Sequence, residues 1–321
     1  MNDELPSVTV LIPTRPEQAE IQAVKAARLL DYPSEKLEIV VARGKQPSVQ
    51  RNTGMKDARG ELIYFLDDDS IPAPENLRRA VSHFRNPDVK MVGGPNLCPP
   101  EAPMLEQIFA VVLGSWLAFG PSRARYARVG EMRPASEKEL ILCNLMARRD
   151  GMLELGGFNE ALYPNEENAL MDELQKRGGK LIYDPQFTVH RRPRPTLRAF
   201  AKMLRTYGRG RAEQFRLHPT LGSALNFVPP LFCVYLVILA PALLLIGKVA
   251  WSLLAIYLIL LLGQGAVLLP SAGLARTLGA IPLIVLTHIL YGIGFWRGLF
   301  TKLNTDRNAP TTPVDLEKVS L

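Results

Sequence analysis

Apolar residues fall along this chain in two rhythms that change near residue 217. In the first part, short and almost wholly apolar runs recur at 7–12 (SVTVLI), 38–42 (EIVVA) and 61–66 (ELIYFL). Runs of that length and composition predict strands buried on both faces. The segments 17–30, 52–58 and 74–84 predict helices; in the first, Ile21, Val24, Ala27 and Leu30 share one helix face. A further short strand is predicted at 90–92, running into Gly93-Gly94. Strands alternating with helices predict an α/β fold on a mostly parallel sheet. Ligands of such sheets bind at the carboxyl ends of the strands. Those ends are Pro13 and Thr14, Ala42 and Arg43, and Asp67-Asp68-Asp69.

In the second part, charge almost vanishes. No Lys, Arg, Asp or Glu occurs from Leu217 to Gly247, from Val249 to Ala275, or from Thr277 to Trp296. A helix needs about 20 apolar residues to cross a bilayer, so all three stretches predict membrane helices. The third is the weakest, with His288, Pro282 and three glycines. Residues 105–119 form a shorter apolar piece, below spanning length. It reads either as a buried core helix or as a helix resting against the membrane. The predicted organisation is a catalytic α/β domain over 1–189, a basic juxtamembrane segment over 190–226, a membrane domain of two to three helices over 227–300, and a polar tail over 301–321.

Composition sharpens this picture. The chain has 321 residues, of which 47% are hydrophobic and 21% charged, which excludes a disordered polar chain. The formal charge of +7 is concentrated: residues 190–216 hold nine basic residues against the single acid Glu213, leaving the rest nearly neutral. Anionic lipids attract such a collar by about 1 kcal/mol per Lys or Arg near the surface. Nucleic acid is not expected as a partner, because the basic run abuts an apolar stretch and carries no reading motif. The three cysteines, Cys98, Cys143 and Cys233, form neither a disulfide framework nor a zinc motif. The acidic N-terminus does not resemble a signal peptide. The expected location is the cell (inner) membrane, multi-pass, with the catalytic domain in the cytoplasm. The positive-inside rule places the residues before Leu217 in the cytoplasm. Three crossings would then leave the C-terminus outside, although Arg297, Lys302 and Arg307 favour the inside. A re-entrant or interfacial third stretch is the alternative, and the sequence leaves both open. The oligomeric state is not readable.

The chemistry centres on Asp67-Asp68-Asp69. Adjacent carboxylates repel one another, and a hard divalent cation such as Mg²⁺ or Mn²⁺ relieves that repulsion. Such ions take oxygen ligands, typically one or two carboxylates plus substrate phosphates. Alternation along an extended chain lets Asp67 and Asp69 cooperate around one metal-diphosphate unit while Asp68 points elsewhere.

The stretch QRNTGMKDARGELIYFLDDDSIPAPENL resembles the central signature of family 2 glycosyltransferases with the GT-A fold. Its matching residues are Arg51, Asn52, Gly54, Gly60, Phe65, Leu66, Asp67, Asp69, Pro72 and Pro74. The first strand with its Ile-Pro-Thr end also matches. The resemblance implies that Asp67 contacts the nucleotide side and that Asp69 binds a metal bridging the donor diphosphate. A second stretch, GGFNEALYPNEENALMDELQKRGGKLIYDP, resembles the family's acceptor-side segment and places Glu166-Glu167 on its acidic pair. Glu167 then occupies the general-base position, with Glu for the usual Asp, and Glu166 is the other candidate. His190 stands where the family places a His near the metal or diphosphate. YGRGR (207–211), together with His288, Tyr291, Gly294 and Gly298, resembles bacterial exopolysaccharide glycosyltransferases of the succinoglycan type. The chain departs from the family where the second strand ends: Ala42-Arg43-Gly44-Lys45 replaces the usual Asp that reads the base.

The expectation is a metal-dependent, inverting glycosyltransferase that moves a sugar from a nucleotide-sugar to a polyprenyl-linked acceptor in the membrane. Its candidate residues are Glu167 and Glu166 for catalysis. Pro13, Thr14, Arg43, Arg51, Asp67, Asp68, His190 and Arg209 are candidates for the donor, and Asp67, Asp69 and His190 for the metal. A polyprenyl-phosphate acceptor, already ionised, would need no base. A sugar nucleotidyltransferase would want a Gly-rich basic loop after the first strand, where the chain has Ile-Pro-Thr-Arg-Pro-Glu. A transporter would want ionisable residues along its membrane helices, and residues 217–275 carry only Lys248 and His218. The processive motif Gln-x-x-Arg-Trp is missing from 198–216, which points to single addition.

Overall fold

The computed structural model describes residues 5–160, 166–217, 219, 221–302 and 313–320. His218 and Arg307 lie outside them, as do residues 161–165 of the acceptor-side motif. The strands are β1 (Val8–Thr14), β2 (Leu37–Arg43), β3 (Leu62–Leu66), β4 (Ile71–Pro72), β5 (Val89–Gly93), β6 (Asn96–Leu97), β7 (Arg133–Pro134), β8 (Asn144–Arg148), β9 (Lys180–Tyr183), β10 (Val189–His190) and β11 (Asp315–Val319). The helices are α1 (Gln22–Ala27), α2 (Pro47–Asp57), α3 (Asn76–His83), α4 (Met104–Leu113), α5 (Trp116–Phe119), α6 (Arg149–Glu154), α7 (Glu166–Lys176), α8 (Leu197–Leu217), α9 (Val228–Ile246), α10 (Ser252–Ala272) and α11 (Leu274–Phe300).

The chain divides into two compact units, one of residues 1–99, 124–192 and 304–321, the other of residues 100–123 and 193–303. The first is the α/β unit. Its main sheet has the order β11-β2-β1-β3-β8-β5-β9-β7. The predicted strands β1, β2 and β3 are parallel neighbours. β8 runs antiparallel between β3 and β5, and β11 antiparallel to β2. The sheet is therefore mixed rather than mostly parallel. Both faces are covered, as near-continuous apolar strands require: Val8, Val10 and Ile12 enter one core cluster, and Leu11 enters the other.

A small second sheet, β4-β10-β6, follows the aspartates. It is fixed by a buried polar chain. The Tyr64 hydroxyl donates to Asn144 Oδ1 (2.8 Å), and Asn144 Nδ2 donates to the Phe187 carbonyl (2.6 Å). Asn76 Nδ2 donates to the Thr188 carbonyl (2.8 Å) and to the Tyr64 hydroxyl (3.0 Å). Every donor in this polar chain finds an acceptor, which is what makes such a network tolerable in a core, and Asn76 Oδ1 is left without a protein partner. Its effect is to set β10, and with it His190 and Arg191, beside β4.

Residues 301–321, expected as a polar tail, instead supply the edge strand β11. Leu316 pairs in register with Ala42 and Val319 with Ile39. Lys318 bridges Asp57 (2.9 Å) and Glu38 (3.4 Å). An edge strand with one solvated face tolerates charge, so DLEKV carries little apolar signal.

The second unit holds the long apolar helices. Ala224–Ala272 and Leu274–Phe300 are each long and apolar enough to cross a membrane. The chain breaks within the first at Gly247, whose φ is 58°, a left-handed value that glycine adopts without penalty.

Candidate functional site

β3 is buried along its whole length and ends on the three aspartates. The Thr14 hydroxyl, at the end of β1, donates to Asp68 Oδ2 at 3.0 Å, so the middle aspartate is turned towards β1. Burial pushes the Asp68 carboxyl up against that hydrogen bond, and neighbouring Asp69 and Asp67 push the same way. The flanking pair faces a different partner. Arg191 Nη1 lies 3.0 Å from Asp67 Oδ2, and Arg191 Nε donates to Asp69 Oδ1. Burial works against the charge on Arg191, yet the Asp67 and Asp69 carboxylates outweigh it and hold the guanidinium well above its ordinary range. One cationic group thus already sits between Asp67 and Asp69.

Arg51, buried on α2, joins the two acidic motifs. Its Nη2 lies 3.0 Å from Asp67 Oδ1 and its Nη1 lies 3.3 Å from Glu166 Oε1. Glu166 is buried, and Glu167 is half-buried. Burial first, and the adjacent Glu167 second, push the Glu166 carboxyl up to about 7, against the pull of Arg51. The start of α7 is anchored by Arg125, whose Nη2 donates to Asn168 Oδ1 at 2.5 Å.

The two motifs are also locked through their backbones. Asn52 Nδ2 donates to the Phe158 carbonyl (2.9 Å), and the Phe158 amide donates to Asn52 Oδ1 (2.8 Å). Gly157 has φ of 78°, and a Cβ there would fall 2.4 Å from Asn52 Oδ1. Only glycine fits that turn, which accounts for the Gly-Gly-Phe spelling.

The other expected residues are dispersed. Pro13 pairs in register with Ala42 beside Thr14. Arg43 is engaged by Glu317 of β11 (Nη2 to Oε2, 3.0 Å) and donates to the Gln18 carbonyl (2.8 Å). His190 pairs with Ile71 across the small sheet. Arg209 belongs to the second unit, where it faces Glu213 one turn on at 3.4 Å. Among the described residues, Asp67, Asp69 and His190 do not form a group of three side chains able to hold a metal ion. The sequence reading passed over Arg191 and the Asn52–Gly157 contact. Arg191 was hidden within a basic run that already had an explanation; its place after β10 was the available signal.

Residues 62–268 match the model of glycosyl transferase family group 2. Among curated relatives, the pre-mycofactocin glycosyltransferase of Mycobacterium tuberculosis is 29% identical over 180 residues, covering 54% of this chain and 36% of that protein. Glycosyltransferase AglE of Haloferax volcanii is 30% identical over 123 residues, covering 29% of this chain and 40% of that one. The chain thus spans well under half the length of these relatives. Among solved structures, the mannosyltransferase PcManGT of Pyrobaculum calidifontis, in complex with GDP-Man and Mn²⁺, superposes with a TM-score of 0.54 at 19% identity. The match covers 93% of this chain and 88% of that one. At that identity it speaks for the fold: a GT-A-like α/β sheet followed by long apolar helices. With the family model spanning well over half its length, this chain belongs to glycosyl transferase family group 2.

Proposed function

We propose that the chain transfers a sugar, with inversion, from a nucleotide-sugar to a membrane-embedded, polyprenyl-linked acceptor in polysaccharide or glycolipid synthesis. The observation that carries this reading is the carboxylate pair Asp67 and Asp69 at the end of β3, gathered around one cationic side chain and tied through Arg51 to Glu166.

The donor set fits a hard divalent ion. Two carboxylates converge on a positive group, with Asp68 turned away, and a substrate diphosphate would supply the remaining oxygens. Asp67 and Asp69 would hold Mg²⁺ or Mn²⁺; when bound, the ion stabilises charge developing on the leaving diphosphate. Arg191 and Arg51 lie where a diphosphate would come, and guanidinium groups suit its oxygens. His190 stands one residue before Arg191, Thr14 bonds Asp68, and Pro13 and Arg43 stand at the ends of the neighbouring strands β1 and β2.

Glu167 is assigned as the base that takes the proton from the acceptor hydroxyl, from the half-buried face at the start of α7. Glu166 is assigned to position Arg51. The acceptor is placed in the membrane because the chain carries two long apolar helical stretches and a basic α8. The test is transfer by purified protein in detergent, with panels of nucleotide-sugars and lipid acceptors. Full metal-dependent transfer by Asp69→Asn would overturn the assignment. A Glu167→Gln variant with unimpaired transfer would point instead to a polyprenyl-phosphate acceptor, which needs no base.

A further inference from the structure

We infer that Glu317 of β11 is a positioning residue for the donor: it holds Arg43, and Arg43 holds the loop after β1 where the uncharged nucleoside half of a nucleotide-sugar binds. The inference rests on the donor reading given above. It extends that reading to a residue 274 positions further along the chain than Arg43.

The register of the sheet puts these groups in line. Thr14, the last residue of β1, pairs directly with Arg43, the last of β2. Arg43 in turn pairs directly with Asp315 of β11. Side chains alternate between the two faces along each strand. Ile12 and Val41 enter one core cluster, and Val319 packs against it. Two residues on from Ile12 and Val41, and two back from Val319, stand Thr14, Arg43 and Glu317, which therefore share that face of the sheet. On the same face the Thr14 hydroxyl donates to Asp68 (3.0 Å). The ends of β1 and β2 are pinned to each other by Gln50, whose Nε2 donates to the Thr14 carbonyl (2.7 Å) and the Ala42 carbonyl (2.6 Å).

The loop that follows β1 has no such pin. Residues 15–20 are all exposed. Within the loop, the Gln18 amide donates to the Arg15 carbonyl (3.2 Å) and Gln18 Nε2 to the Glu20 carbonyl (2.9 Å). These bonds shape the turn without tying it to the sheet. Arg43 supplies a tie: its Nη1 donates to the Gln18 carbonyl at 2.8 Å. The other side of the same guanidinium faces Glu317, with Nε at 3.1 Å and Nη2 at 3.0 Å from Oε2. A long arginine side chain samples many rotamers when free. With its planar fork closed on a carboxylate, it is already arranged to meet the loop.

The pairing also decides which half of a donor suits this place. Ligands of such a sheet bind outside the carboxyl ends of its strands. In the reading above, the diphosphate lies at Asp67 and Asp69, after β3. β1 separates β3 from β2, so Arg43 stands two strand spacings away, about 10 Å, a distance that a nucleoside covers. An unpaired arginine there would suit phosphate. Beside Glu317 its charge is balanced, and the pair still has N–H donors and a carboxylate acceptor to spare. Such a pair matches the hydrogen-bonding edge of a base or a ribose.

The test uses the full chain in detergent with Mn²⁺, and titration calorimetry with GDP, UDP and inorganic pyrophosphate. Glu317→Gln should weaken binding of the preferred nucleoside diphosphate about twofold to fivefold, the range for an ion pair partly open to water. The donor KM should rise by the same factor with kcat unchanged, and pyrophosphate binding should not move. Hydrogen exchange followed by mass spectrometry should show the 15–20 peptide exchanging faster in the variant. Lys318→Gln breaks the bridges from the same strand to Asp57 and Glu38 and should leave nucleotide binding unchanged. In an Arg43→Gln background, Glu317→Gln should add no further loss. Unchanged nucleotide affinity in Glu317→Gln overturns the inference. So does equal weakening for pyrophosphate, an equal loss in Lys318→Gln, or an additive loss in the double variant. An unaltered chain that binds neither GDP nor UDP would overturn the donor reading itself, and this inference with it.

Discussion

The two acidic segments of the site, Asp67–Asp69 after a strand and Glu166–Glu167 at the start of a helix, meet their arginine partners in different surroundings. At the end of β3, Asp67 and Asp69 share the Arg191 guanidinium, while burial pushes the Asp68 carboxyl up. At the start of α7, Glu166 has a guanidinium at 3.3 Å as well, yet burial outweighs it and carries the carboxyl up to about 7. At the first place two carboxylates share one guanidinium; at the second a lone guanidinium contact competes with desolvation and is outweighed. A place built to keep negative charge suits a metal-diphosphate unit. A place where protonation is finely poised suits proton movement and positioning.

The sharpest way to break this contrast is Asp69→Asn, for which no metal-dependent transfer should remain in a radiolabelled-sugar assay. Next is Glu167→Gln, expected to lower kcat about 10²–10⁴-fold on a hydroxyl acceptor, the usual contribution of general-base catalysis. Comparable loss from Glu166→Gln, with Glu167→Gln active, would exchange their roles. Arg51→Lys removes the fork that reaches both acidic segments. Loss of one charge-assisted bond, about 1.5–3 kcal/mol, predicts a roughly 10–100-fold fall in kcat/KM with the fold retained by circular dichroism. The smallest effect concerns pH. Glu166 has a raised folded-state pKa, so the native state binds its proton more tightly than the unfolded chain does. Stability should decline as pH rises from 4.5 to about 7. Apparent melting temperatures in detergent should therefore differ between pH 5 and pH 8, and Glu166→Gln should reduce that difference by a few degrees. An unchanged difference would mean that Glu166 is not held neutral by burial.

What was legible in the sequence follows from how each feature is encoded. β3 and its aspartates stood out because five buried apolar residues run straight into three charges. Arg51 and Asp67 both belonged to the resembling signature, but neither the ion pair between them nor the second arm of Arg51, to Glu166, was implied. Glu166 and Glu167 are adjacent in sequence, and only the roughly 100° turn between successive helical residues decides which is buried. β8 was missed because NLMAR alternates weakly and its antiparallel place comes from a distant segment. β11 was missed because DLEKV is mostly polar, as a solvated edge strand can be. Arg191 was missed because a run of arginines before a membrane stretch explains itself too easily as a lipid contact. Periodicity reports burial; it does not report which partner a charge meets.

The pairing of β11 with β2 also imposes an order on the making of the protein. β2 is synthesised near residue 40 and its partner near residue 317. At about 5–20 residues per second, the ribosome delivers the partner on the order of 15–50 s later. Throughout that interval the β2 edge has an unpaired row of backbone donors and acceptors, the kind of edge that recruits foreign strands. Helices α9, α10 and α11 are made in the same interval, so the edge is closed only after the long apolar helices have emerged. Closure of the sheet then requires that the long apolar helices leave both edge strands on one side of any bilayer they enter. A chain threaded the wrong way would keep its edge open to aggregation and proteolysis.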